Sequence, residues 1–189
     1  MKILLINQSP DNSKKLSTIS ISSYLLKAYV ESNFSINDLQ RISLKVLDFD
    51  YIITPSQMIN TILAGSPDIV SFSVYLWNYR NFCLSSEKIK HLQPSIKTIF
   101  GGPQLASPEV AIDFMNKCSQ ADIVSYVNNS GEIIFRNILL SLLHDKDLQR
   151  VKGIAYRKNN VIKINSPPTQ SIDLNLIPSP YIDKHIEIN

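Results

Sequence analysis

The chain has 189 residues, 44% of them hydrophobic, which is enough for one domain with a full core and a modest appendage. Its 19 basic and 16 acidic residues are spread without long runs and leave a net charge of +3, which argues against a nucleic-acid groove or a polybasic membrane contact. No segment approaches the ~20 apolar residues of a membrane span, and the opening MKILLINQSP is too short an apolar run for a signal peptide, so a cytoplasmic setting is expected.

Lys2 to Ile6 predicts a first, central strand that stops at Asn7-Gln8-Ser9-Pro10. After the polar loop NQSPDNSKK, a helix from about Ser17 carries Leu25, Leu26, Tyr29 and Val30 at the three-to-four spacing that buries one face. Lys45 to Phe49 predicts a short second strand. Pro55-Ser56 then caps a helix with Met58, Ile59, Ile62 and Leu63, and Gly65 and Pro67 stop it.

Pro67 to Gln104 forms the centre of the chain. Ile69, Val70 and Phe72, with small serines between them, suit a strand covered on both faces; a helix follows, and Thr98, Ile99 and Phe100 repeat the strand character before Gly101-Gly102-Pro103. Ser107-Pro108-Glu109 is a strong helix start, with a serine cap, proline in the first turn and an acid at the positive end of the dipole. Ala121 to Tyr126 predicts a fifth strand, followed by a helix with Phe135, Ile138, Leu139, Leu142 and Leu143 inward.

Strict alternation of this kind predicts an α/β fold, a doubly wound parallel five-stranded sheet of flavodoxin-like, Rossmann-like character. The alternation breaks at Gly153. Ile154 to Arg157 and Val161 to Asn165 predict a β-hairpin, because Asn159-Asn160 tolerates the positive φ of a tight turn. The rest is rich in proline and reads as an extended linker. The expected organisation is therefore a domain over 1–150, a hairpin extension over 151–166 and a linker over 167–189.

In a flavodoxin-like strand order the switch point lies between the first and third strands, and ligands bind outside the carboxyl ends there. Three loops converge on it: Asn7 to Ser13, Val74 to Asn78, and Gly101 to Gln104. Gly101-Gly102 is the sharpest local feature, since the chain has five glycines and two sit together at a strand end. It suits either a turn needing positive φ or close backbone approach to a ligand. Tyr75 and Trp77 suit pocket walls or a cover for the sheet end, and Ser73 a hydrogen-bonding group.

Several chemistries are disfavoured. There is no GxGxxG and no GxxxxGK[ST], which argues against a dinucleotide fold or a P-loop. A phosphoacceptor receiver domain needs acids where the chain has Asn7-Gln8 and Ser73, and a flavodoxin phosphate loop usually needs a glycine missing after the first strand. His91, His144 and His185 read as surface residues, and Cys83 and Cys118, 35 positions apart, as buried free thiols. Glu109, Asp122 and Glu132 read as helix-start or edge acids, so no catalytic residue is assigned.

DIVSFSVYLWN, then IFGGPQ, then ADIVSY with SGEIIFRNIL, then GIAYRKNN and LIPSPY together resemble the N-terminal cobalamin-binding (B12-binding) domain of B12-dependent radical SAM enzymes, over nearly the whole chain. In such domains a Ser-x-Leu element after the third strand and a Gly-Gly pair after the fourth hold the displaced nucleotide tail. Ser73-Val74-Tyr75 matches the first, with Tyr in place of Leu, and Gly101-Gly102 the second. The resemblance implies cobalamin contacts at Asn7, Gln8, Ser9, Ser73, Val74, Tyr75, Leu76, Trp77, Gly101, Gly102, Pro103, Gln104, Gly131 and Glu132. Of a frequent Gly-Glu-Gly-Glu motif only Gly131-Glu132 remains.

The DxHxxG motif of a histidine-ligated cobalt is absent, so the resemblance implies base-off cobalamin with no histidine ligand. The CxxxCxxC motif of a [4Fe-4S] cluster is absent too, which implies that S-adenosylmethionine and the cluster belong to a radical SAM core beyond this chain, in the same parent or a separate one. The parent is then expected to be a methyltransferase or related enzyme. Two other readings stay open: a flavodoxin-like interaction module without cobalamin, and a flavin-binding domain.

Overall fold

Lys2–Gln8 (β1), Ile69–Ser73 (β3) and Lys97–Gly101 (β4) lie side by side at the centre of one sheet, because their apolar runs can be covered on both faces. The computed structural model describes residues 1–10, 21–49, 53–126, 131–168 and 173–181. Ser43–Phe49 (β2) and Ile123–Ser125 (β5) flank the centre, and Ile154–Lys158 (β6) and Val161–Ile164 (β7) complete the order β2-β1-β3-β4-β5-β6-β7. The first five strands are parallel and in the expected order. The hairpin continues the same sheet, with β6 antiparallel to β5, so the sheet has seven strands rather than five.

Helices cover both faces. Ile21–Asn33 (α1) and Gly131–Leu143 (α6) pack on the side of Ile3, Leu5, Ile69, Ile99 and Ile123, where Val30, Ile138 and Leu139 are buried. Pro55–Ala64 (α3), Tyr79–Leu92 (α4) and Pro108–Lys117 (α5) cover Leu4, Ile6, Val70, Phe72 and Phe100. There Phe72 stacks on Phe100 at 4.9 Å, and Phe82 and Phe114 extend the aromatic row. A short helix not expected from the sequence, Ile36–Leu39 (α2), follows α1; the Ser35 side chain caps it by accepting from Asp38 N.

Several boundaries move for identifiable reasons. β1 runs on through Asn7 and Gln8, which pair with Asp48 and Phe49 of β2 and are strand rather than loop. The cap of α3 is Thr54, in a box with Gln57, with Pro55 as its first residue rather than its cap. Gly65 ends α3 in a right-handed conformation, and Ser66 takes the positive φ of 45°. Asn159 and Asn160 hold φ of 53° and 62°, as a tight primed turn requires. The start of the first helix near Ser17 lies outside the described residues.

At the amino-terminal ends of the strands, Asp122 ties β4 to α4. Its carboxylate accepts from Thr98 N at 2.8 Å and from Lys90 Nζ at 3.0 Å, while its carbonyl accepts from Arg157 N of β6 at 2.9 Å. Asp122→Ala leaves the buried Thr98 amide without its acceptor and the half-buried Lys90 ammonium without its counter-charge, with only the Pro94 and Ile96 carbonyls to accept from it. It should lower stability by about 2 to 4 kcal/mol, read from the urea midpoint at unchanged slope. A change under about 0.5 kcal/mol would mean that this corner is not a structural tie.

The two thiols, distant in sequence, meet between α4 and α5. Cys83 and Cys118 are hydrogen-bonded to each other, and Ser86 Oγ lies 3.4 Å from Cys118 Sγ. The bond to Cys118 and burial push the Cys83 thiol up, whereas the hydrogen bonds from Cys83 and Ser86 hold Cys118 down. Both are free. Among the described residues no helix is long and apolar enough to cross a membrane.

Candidate functional site

The carboxyl ends of β1, β3 and β4 carry the site. Ser73 is paired with Gly101 across β3 and β4, and beyond it Val74 N donates to Gly101 O at 2.6 Å. The chain then turns through Tyr75, Leu76 and Trp77, and the fully buried Asn78 shapes that turn. Its Oδ1 accepts from Tyr75 N at 2.8 Å and its Nδ2 donates to Ser73 O at 3.0 Å, so one amide satisfies both ends of the loop. Such a loop is held from within, and its side chains are released outward.

Those outward side chains form an aromatic shelf. Tyr75 and Trp77 stack with ring centroids 4.6 Å apart and 10° between planes, and Leu76 stands 78% exposed beside them. Trp77 Nε1 donates to Gln8 O at 2.8 Å, pinning the shelf to the end of β1. Asn81 of α4 reaches the same strand end, with Nδ2 3.5 Å from Gln8 Oε1 and 3.0 Å from Ile53 O.

Under the shelf lies a polar layer. Asn7, 2% exposed, donates from Nδ2 to Asp48 Oδ1 at 2.7 Å and accepts at Oδ1 from Ser23 Oγ at 2.8 Å. Gln8 and Ser9 are also buried, and Ser9 N donates to Phe49 O. The Asn7 amide is therefore committed to holding β1, β2 and α1 together. Ser73 is buried to 9% exposure, its Oγ 3.3 Å from Ser22 Oγ of α1.

The two glycines differ. Gly102 has φ of +119°, and a Cβ there would lie 2.5 Å from Val74 O and 2.8 Å from Val74 N, so the turn itself requires glycine. Gly101 is in β4, and a Cβ on it would meet only Ser125 Cβ at an ordinary 3.8 Å. Nothing in the fold demands its bareness. Pro103 opens a 3-10 turn, Pro103–Leu105, that leaves Pro103 and Gln104 exposed at the same end.

Gly131 and Glu132 begin α6, half-buried, at the carboxyl side of β5; the preceding residues Asn128 to Ser130, like Asp11 to Ser13, lie outside the described residues. Among the described residues no group of three His, Cys, Asp or Glu gathers that could hold a metal ion. His144 is paired with Asp38 at 2.9 Å, His91 lies in the last turn of α4, and His185 is outside the described residues. Ser22, Ser23, Asp48 and Asn81 were not anticipated, since the contacts that matter span 16 to 73 positions and leave no local pattern.

Fold and site define an α/β domain of flavodoxin-like order with a hydroxyl, a bare strand end and an aromatic shelf at its switch point. Among the curated proteins to which the chain is similar is a cobalamin-dependent radical SAM methyltransferase. The chain is 27% identical over 117 residues to the cobalamin-dependent radical SAM methyltransferase TokK of Streptomyces tokunonensis, covering 61% of this chain and 17% of the relative. It is 29% identical over 118 residues to the 2-(S-pantetheinyl)-carbapenam-3-carboxylate methyltransferase of Streptantibioticus cattleyicolor, again 61% of this chain and 17% of the relative. The chain thus spans about a sixth of the length of these curated relatives. The radical S-adenosylmethionine methyltransferase TsrM of Kitasatospora setae shares the fold over 90% of this chain and 30% of its own, with a TM-score of 0.66 at 14% identity. No protein-family model matches the chain.

Proposed function

We propose that this chain is the cobalamin-binding module of a B12-dependent radical SAM enzyme, a methyltransferase, and that it holds the cofactor base-off at the switch point without a histidine ligand. The observation that carries the reading is Gly101, a strand end left bare where the fold has room for a side chain, facing the same edge as Ser73 and the aromatic shelf. That edge fits a bulky cofactor: backbone can be approached at Gly101, a hydroxyl is available at Ser73, and Leu76, Tyr75 and Trp77 offer an apolar face.

In this reading Ser73 meets the base of the displaced nucleotide tail, and Gly101 and Gly102 let the tail pass beside β4. Tyr75, Leu76, Trp77, Pro103 and Gln104 line the corrin side, with Gly131 and Glu132 closing the far rim, whereas the Val74 side chain is fully buried in the core and does not take part. Asn7, Gln8 and Ser9 support the shelf from below through the Trp77–Gln8 bond and the Asn7 amide. When bound, the corrin supplies the group-transfer chemistry of the parent enzyme, and this module supplies placement. S-adenosylmethionine and the [4Fe-4S] cluster belong to a radical SAM core, the module's partner, to which residues 167–189 lead from the domain (1–150) and hairpin (151–166). A cytoplasmic setting suits two free thiols.

Trp77 is the chain's one tryptophan, so the site carries its own reporter. Titration with hydroxocobalamin should quench most of the tryptophan emission, and after desalting the corrinoid should stay with the protein and show a base-off absorption spectrum. Unquenched emission with no retained colour at micromolar concentrations would reject the module reading, and a yellow protein carrying flavin after purification would replace it.

A further inference from the structure

The two thiols that meet between α4 and α5 take no part in the proposed site, and their geometry is that of a pair poised to join. The two helices present matched turns to each other. Tyr79 and Phe114 meet edge to face with ring centroids 5.3 Å apart, and four residues further along each chain segment stand Cys83 and Cys118. Cys118 is hydrogen-bonded to Cys83 through their sulfurs, and Ser86 Oγ touches both residues, donating to Cys83 O at 2.8 Å and lying 3.4 Å from Cys118 Sγ. Exposure divides the pair. Cys118 is fully buried whereas Cys83 is half-buried, so a small solute meets Cys83 first.

Hydrogen-bonded sulfurs stand a side-chain rotation away from the ~2 Å bond of a disulfide. Their acidities are split as well, with the Cys118 thiol held below its ordinary value and the Cys83 thiol pushed above it. The sulfur that solvent reaches is thus the slower nucleophile, and the one beside it is the readier to attack. We infer that Cys83 and Cys118 form a redox-active dithiol, in which hydrogen peroxide oxidises Cys83 and Cys118 resolves it to a reversible disulfide that staples α4 to α5. In the first step the Cys83 sulfur attacks the peroxide; an S–O bond forms, the O–O bond breaks and one water leaves. In the second the Cys118 sulfur attacks the Cys83 sulfur; the S–S bond forms, the S–O bond breaks and the second oxygen leaves as water. Two thiols lose two electrons and two protons, and one peroxide is reduced to two waters. The inference is independent of the cobalamin reading.

The test treats the whole 189-residue chain with hydrogen peroxide and maps its thiols by mass spectrometry after digestion. The expected product is one disulfide between the peptides of Cys83 and Cys118, formed at a rate independent of protein concentration and returned to two thiols by dithiothreitol. Because Cys118 closes the bond faster than Cys83 is oxidised, dimedone, which traps sulfenic acids, should label Cys83 at least about tenfold more in Cys118→Ser than in the wild type. Cys83→Ser should keep Cys118 as a thiol. The oxidised wild-type chain should melt about 5 °C above the reduced one, since the bridge joins residues 35 positions apart. Three results overturn the dithiol: both thiols stay free under peroxide that oxidises them in the urea-unfolded chain, Cys83 ends as a sulfinic acid without linkage, or the bridge joins two chains. An oxidised chain that melts no higher than the reduced one overturns the staple.

Discussion

Gly101→Leu should yield a chain that folds as the wild type does and has lost its hold on cobalamin. The expectation comes from an asymmetry of space. A Cβ on Gly101 meets one atom, Ser125 Cβ, at 3.8 Å, which is normal contact, and the residue is an ordinary member of β4 paired with Ser73. The strand thus tolerates a side chain by its own geometry. A ligand that slides along that strand end does not, since an isobutyl group there fills the volume the ligand needs. Bulk forced into a matched surface costs on the order of 1 to 3 kcal/mol, which at the upper end is a loss of about a hundredfold in affinity. Equilibrium dialysis with hydroxocobalamin reads the loss, and the urea midpoint should stay within about 0.5 kcal/mol of the wild type. Undiminished cobalamin binding by a folded Gly101→Leu chain would take away the observation on which the proposed function stands.

Its neighbour behaves in the opposite way. Gly102→Ala should destabilise the domain by about 2 to 4 kcal/mol, because a methyl group must occupy a site 2.5 Å from Val74 O while the backbone holds φ at +119°. Either the turn shifts, which breaks the approach of Gly102 to Val74, or β4 gives way at the bond from Val74 N to Gly101 O. For a domain of this size the loss corresponds to a fall of roughly 5 to 15 °C in melting temperature. A Gly102→Ala chain as stable as the wild type would show that the turn relaxes freely. Loss of cobalamin in that variant says little about contact with the cofactor, because the loop bearing Tyr75, Leu76 and Trp77 moves with it. Of the two glycines, Gly101 is the one whose substitution reports on the ligand.

The pair also marks where sequence reading reaches its limit. Two adjacent glycines at a strand end suit both a strained turn and a bare approach path, and each residue turned out to suit a different one of them. The distinction depends on Val74, 28 positions upstream, and on Ser125, 24 positions downstream, neither of which has any local imprint on the Gly-Gly dipeptide. Asn7 shows the same limit. As the residue after an apolar run it reads as loop, yet its amide is spent on Asp48 and Ser23, and β1 continues through it. The hairpin was recognisable from Asn159-Asn160, whereas its addition to the edge of the sheet beside β5 was not.

What the sequence determined by itself is what short-range chemistry dictates: the alternation of apolar strands and one-sided helices, the serine cap of α5, the primed turn of the hairpin, and hence the strand order and the end of the sheet where the switch point opens. Tertiary structure alone decided which groups meet there. Ser22 reaches Ser73 across 51 positions and Trp77 reaches Gln8 across 69, and such partners are chosen by how α1 and α4 pack on opposite faces of the sheet. Periodicity places a residue on a face. Only the packed sheet brings a hydroxyl on α1 to within 3.3 Å of a hydroxyl on β3, because that distance is set by the sum of all the contacts between them.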